Sequence, residues 1–198
     1  MSRISWGKPR IFVKDTDQSG SKWQELITPA EDSTQLSVSK GDRLEAKIEG
    51  GETEDVKYKR SNYQVAFNIR KGKLPGGQQR KKPFPSIDGR VDHHYAILLQ
   101  PEDATCEGFY IADCTVTVDD VFTSAEGGMW QVQMDALRAA SGDTVKWGIV
   151  TINESGGSAT IAFTEGTSFD CSYPGEGTTP HNLDASAVIL ADSTAYNG

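Results

Sequence analysis

Residues 44–70 read LEAKIEGGETEDVKYKRSNYQVAFNIR, and the two alternating runs inside this stretch decide the fold class. In the first run Leu44, Ala46 and Ile48 alternate with Glu45, Lys47 and Glu49. In the second, Tyr63, Val65, Phe67 and Ile69 alternate with Gln64, Ala66, Asn68 and Arg70. A period of two means that successive side chains leave opposite faces of an extended strand, so each run predicts a strand with one buried and one wet face. Gly50-Gly51 reads as a bend or bulge within the first arm, with the strand resuming as far as Tyr58 and a turn following at 59–62.

Working outward, the same pattern recurs. The 116–137 region alternates Val116 and Val118 with Thr115, Thr117 and Asp119. After the turn at Glu126-Gly127-Gly128 it alternates Trp130, Val132, Met134 and Ala136 with Gln131, Gln133 and Asp135, which predicts a hairpin. Residues 145–152 and 159–163 flank NESGGS and predict another, and 93–100 is a further strand. Residues 4–13 carry apolar residues around Pro9 and predict an edge strand or arm, because proline cannot donate to a ladder. Short strands are expected at 23–27 and 188–190. Residues 101–108 (PEDATCEG) predict one short helix, with proline and acids in the first turn and Gly108 as its stop.

The chain has 198 residues with 36% hydrophobic content, 20 glycines and a mean hydropathy of −0.49. These values fit a β-rich domain with many turns rather than a disordered chain. Its net charge is −8, which argues against sequence-specific DNA binding. The opening MSRISWGKPRIFVKD lacks the apolar core of a signal peptide, and no apolar run is long enough to span a membrane. Cys106, Cys114 and Cys171 are odd in number and lack CxxC spacing, as in a protein that folds in a reducing cytoplasm. A Cys106–Cys114 link across a turn is the one pairing left open.

Residues 71–90 (KGKLPGGQQRKKPFPSIDGR) hold three prolines, four glycines and the cluster Arg80-Lys81-Lys82. So long an irregular stretch is either a surface loop or a functional arm. The sharper expectation is an arm that orders against a neighbouring subunit through Arg80, Lys81, Lys82 and Phe84. His93-His94 are adjacent on a strand and point apart, so no metal site is expected there. The acidic runs at 52–55, Glu102-Asp103 and Asp119-Asp120 fall beside turns or on wet faces. Nucleophile elbows and phosphate-binding loops are absent from the sequence. The chain is therefore expected to be no enzyme and to use no cofactor. Trp6, Trp23, Trp130 and Trp147 are core or interface candidates, or platforms for a sugar.

Three stretches, GDRLEAKIEGGETEDVKY (41–58), YAILLQPEDATCEGFYI (95–111) and VTVDDVFTSAEGGMWQVQMDALRAASGD (116–143), together resemble a phage tail tube protein, in the class shared with the inner tubes of contractile tails and type VI secretion. The resemblance covers roughly 39–147; the sequence beyond residue 150 has no counterpart in it. It implies a mainly β fold: a β-sandwich or half-barrel with long hairpins and one short flanking helix, joining into a ring-shaped oligomeric barrel. The implied organisation is a tube-like β domain over 1–150, with an inter-subunit loop at 71–90, and a C-terminal hairpin or arm over 151–198. The partners would be further copies in stacked, six-membered rings and other tail proteins, in the virion tail, assembled in the host cytoplasm. DNA would pass without specific binding along a wall bearing Glu45, Glu49, Glu52, Glu54 and Asp55. Two other readings stand beside it: a head–tail connector or capsid decoration protein, and a carbohydrate-binding β-sandwich module.

Overall fold

The computed structural model describes residues 7–155 and 158–166. Eleven strands lie among them: β1 (Arg10–Asp15), β2 (Gln24–Glu25), β3 (Gln35–Ser39), β4 (Arg43–Lys47), β5 (Thr53–Tyr58), β6 (Asn62–Arg70), β7 (Tyr95–Gln100), β8 (Gly108–Thr123), β9 (Gly127–Ala136), β10 (Lys146–Ser155) and β11 (Ser158–Glu165). All pairings between named strands whose register is resolved are antiparallel, and the fold is mainly β with a large antiparallel sheet. The described residues form two compact units, the first holding 7–28, 93–114 and 139–166, the second 29–92 and 115–138; β8 contributes to both.

In the first unit the strand order is β2-β1-β7-β8, with β10 also pairing β8 and β11 pairing β10. The run YAILLQ of β7 is buried on both faces, which is why it reads as a continuous apolar stretch and not as an alternation. Phe12 of β1, Leu98 of β7, Val150 of β10, and Ile161 and Phe163 of β11 form one core cluster, with Trp23, Tyr110 and Ile152 against it. The β10–β11 hairpin thus covers one face of β1 and β7, in the two-layer manner of a sandwich. Gln100 lies inside this unit and donates from Nε2 to the Val150 carbonyl at 2.8 Å, so its buried amide is not left unpaired.

In the second unit β8, β9, β6 and β3 follow one another. The β6 alternation is realised as read: Val65, Phe67 and Ile69 are 0%, 1% and 1% exposed and stand opposite Met134, Val132 and Trp130 of β9. Their neighbours Gln64, Ala66 and Asn68 face Asp135, Gln133 and Gln131 on the polar side, with a 2.8 Å bond from Gln64 Nε2 to Asp135.

Several sequence expectations change. Residues 4–13 were expected at an edge; β1 instead pairs on both sides, because Pro9 precedes the strand and removes no ladder donor. The short strand at 23–27 shrinks to Gln24–Glu25. The helix expected at 101–108 is absent: the Asp103 carboxylate accepts from the Thr105 amide and hydroxyl at 3.0 and 2.6 Å, and the Cys106 amide bonds the Asp103 carbonyl at 2.9 Å. That local bonding fixes turns where a helix needs its amides for the next turn. No disulfide joins Cys106 to Cys114; Cys171, Trp6 and the strand at 188–190 lie outside the described residues. Residue 150, taken as the end of a domain, falls within β10.

Candidate functional site

The two runs of 44–70 do not pair with each other. Gly50 and Gly51, at φ 110° and 88°, reverse the chain completely, with bonds from the Ile48 amide to the Glu52 carbonyl at 3.0 Å and from the Gly51 amide to the Ile48 carbonyl at 3.1 Å. Positive φ at both positions is what glycine supplies without a steric penalty. The result is the β4–β5 hairpin, a two-stranded sheet that hydrogen-bonds no other strand among the described residues.

Every residue of β4 and β5 is exposed. The expected apolar face does not form, and the register explains why. Arg43 stands opposite Tyr58, Leu44 opposite Lys57, Glu45 opposite Val56 and Ala46 opposite Asp55. Opposed residues share a face, so the apolar positions of β4 and of β5 fall on opposite faces, each beside a charge. A register shifted by one residue would have put them together. The ribbon therefore leaves Leu44, Ile48, Val56 and Tyr58 exposed by 49, 46, 36 and 64%.

The five acids expected on a channel wall separate within this hairpin. Glu45 is on β4, ion-paired to Arg43 and, at 3.7 Å, to Lys47. Glu49 and Glu52 are in the turn, and Glu54 and Asp55 on β5 beside a register irregularity at Ala46/Lys47. All four of these are exposed, and among the described residues none has an ion-pair partner.

Residues 71–90 are organised by their own chain. The segment 73–79 doubles back on itself, with the Leu74 amide bonding Gln78 O at 2.8 Å, and the Arg80 amide bonds Gly72 O at 2.8 Å. Arg80 Nη1 donates to the Arg70 carbonyl at 3.0 Å. Phe84 is only 1% exposed, so this residue, expected to meet an adjacent ring, is committed to the core of its own chain. Lys71 and Lys82 close on Asp120 of β8 at 2.5 and 3.0 Å, and Lys71 Nζ also lies 5.5 Å from the Trp130 ring centroid. Hydrogen bonds from Lys71 and then Lys82 hold the Asp120 carboxyl down at about 2. In sequence Asp120 was one of a solvated acidic pair; the lysines that claim it lie 49 and 38 residues away and gave no local signal. Lys81 and Lys73 are exposed without an ion-pair partner among the described residues.

The strand expected over 93–100 begins at Tyr95, so His93 and His94 precede it, and they meet different carboxylates. His93 Nδ1 is 2.6 Å from Asp15 Oδ2, and His94 Nδ1 is 3.4 Å from Asp113 Oδ1. Burial works to raise the Asp15 carboxyl, but bonds from His93 and the Gln18 and Asp17 amides outweigh it and lower its pKa. Among the described residues no three His, Cys, Asp or Glu side chains are placed to share a metal ion, and no helix is long and apolar enough to cross a membrane. Trp130 is core, at 8% exposure, whereas Trp147 is 49% exposed and packs edge-on to Phe109 at 5.6 Å. No protein-family model matches this chain, and no curated protein matches its sequence.

Proposed function

We propose that the chain is a self-assembling structural subunit, of the phage tail tube kind, that stacks as rings into a channel for DNA. The observation supporting this most directly is the β4–β5 hairpin. An isolated two-stranded ribbon is marginal in water. This one has free strand edges and exposed apolar side chains on both faces, features that association with another subunit would cover. A net charge of −8 suits a tube through which DNA slides without adhering. In this reading the subunit belongs to a virion tail, is assembled in the host cytoplasm, and has further copies and other tail proteins as partners.

Negative-stain electron microscopy of the concentrated protein, with light scattering on the same sample, tests the reading. Hollow tubes or stacked rings are expected. Single rings or trimers that never stack would favour a connector or decoration protein. A strict monomer at every concentration would refute self-assembly. A second reading, a glycan-binding module, rests on exposed Trp147; quenching of its fluorescence by a bound oligosaccharide, lost in Trp147→Ala, would support it.

A further inference from the structure

Within the second unit two short segments carry opposite and unmixed charge. Residues 48–56, the tip of the β4–β5 hairpin, hold four acids and no cation; residues 70–82 hold six cations (Arg70, Lys71, Lys73, Arg80, Lys81, Lys82) and no acid. Asp120, from β8, neutralises only part of the second set. Among the described residues none of the four acids is ion-paired with any of the six cations of the same chain. Both segments are held in shape: the tip by its glycine turn, the basic segment by the 73–79 doubling and the Arg80 bonds. Preformed, complementary charged surfaces of this kind favour and orient association.

We propose that the acidic tip carried by Glu49, Glu52, Glu54 and Asp55 docks on the basic segment 70–82 of a second copy of the chain. This rests on the assembly reading and deepens it. It assigns four of the five acids expected along a channel wall to a contact between copies. The contact joins two different surfaces, so it is heterologous: repeated, it closes a ring or extends as an open stack.

The experiment uses the full chain in three forms: wild type, Glu52→Lys/Glu54→Lys, and Lys73→Glu/Lys81→Glu. All four substituted side chains are exposed, so the fold is retained, which circular dichroism checks. Sedimentation velocity over a concentration series reads association at low and at raised salt. Each reversed variant alone is expected to associate at least about tenfold more weakly than wild type, because reversal replaces attraction by repulsion at two charges of the contact. Salt is expected to weaken the wild type, since exposed charges are screened. An equimolar mixture of the two variants is expected to regain association, because the unaltered acidic tip of one then meets the unaltered basic segment of the other. Undiminished assembly of either variant alone, or a mixture that is not rescued, overturns the docking while leaving self-assembly standing. A wild type that never associates overturns both. Duplex DNA bound by wild type, released by Lys73→Glu/Lys81→Glu and indifferent to the tip, would make 70–82 a phosphate-backbone surface and overturn the proposal.

Discussion

Phe84→Ala distinguishes a loop that belongs to its own chain from one that orders only against a neighbour. Phe84 lies at the end of a proline- and glycine-rich stretch, yet it is 1% exposed. Removing a fully buried phenylalanine side chain loses its transfer free energy and leaves a cavity, together about 3–5 kcal/mol. Urea unfolding of the monomeric subunit at low concentration is the assay. With a urea dependence of about 1–3 kcal/mol per molar, the midpoint falls by at least about 1 M, at unchanged slope. Lys81→Ala, exposed on the same segment, serves as the comparison and stays within about 0.5 kcal/mol of wild type. The reasoning fails if Phe84→Ala also changes stability by no more than about 0.5 kcal/mol. That result would mean the segment is not docked in the isolated chain.

Asp120→Asn removes the carboxylate that Lys71 and Lys82 share. The carboxyl is held at about 2, below the ordinary aspartate value of 3.8. Its contribution is therefore present above about pH 4 and is lost as pH falls through 2. Wild type and variant should differ in urea midpoint near neutrality and converge in acid, and a pH-independent gap would contradict the ion-pair account. The lowered Asp15 pKa has the same sign: Asp15→Asn should cost stability above the ordinary aspartate value of 3.8 and progressively less below it, as a pH series of thermal midpoints would record. Leu44→Ser with Ile48→Ser, both exposed, should leave monomer stability within about 0.5 kcal/mol yet weaken association in sedimentation; equal association would detach the hairpin's apolar residues from assembly. Gly108→Ala places a Cβ against the Leu99 carbonyl oxygen across the β7–β8 pair and should cost about 1–3 kcal/mol by overpacking; an unchanged thermal midpoint would show that the two strands can separate there freely.

Much of the fold was legible because strand signals are local. The pleat of β6, β8 and β9 writes its two faces directly into the sequence as alternation, and Val65, Phe67, Ile69, Val132 and Met134 are buried as that alternation requires. Gly127 marked a hairpin reversal for the same reason: turns place local demands on φ and on side-chain bulk. At 101–108 local signals competed. A proline and early acids suggested a helix, and the Asp103 carboxylate and carbonyl took the Thr105 and Cys106 amides into local turns.

The sequence by itself determined that the chain is mainly β, strongly acidic, and divided between an acidic stretch at 48–56 and a basic one at 70–82. Each of these follows from composition or from neighbours a few residues apart. Only the tertiary structure decided which strands pair and with what register. That choice left β4–β5 as a separate ribbon with apolar side chains on both faces. It also buried Phe84 and brought Lys71 and Lys82 to Asp120. Such outcomes depend on contacts between residues tens of positions apart, and a single-residue change of register exchanges one face of a strand for the other while the sequence of that strand stays the same.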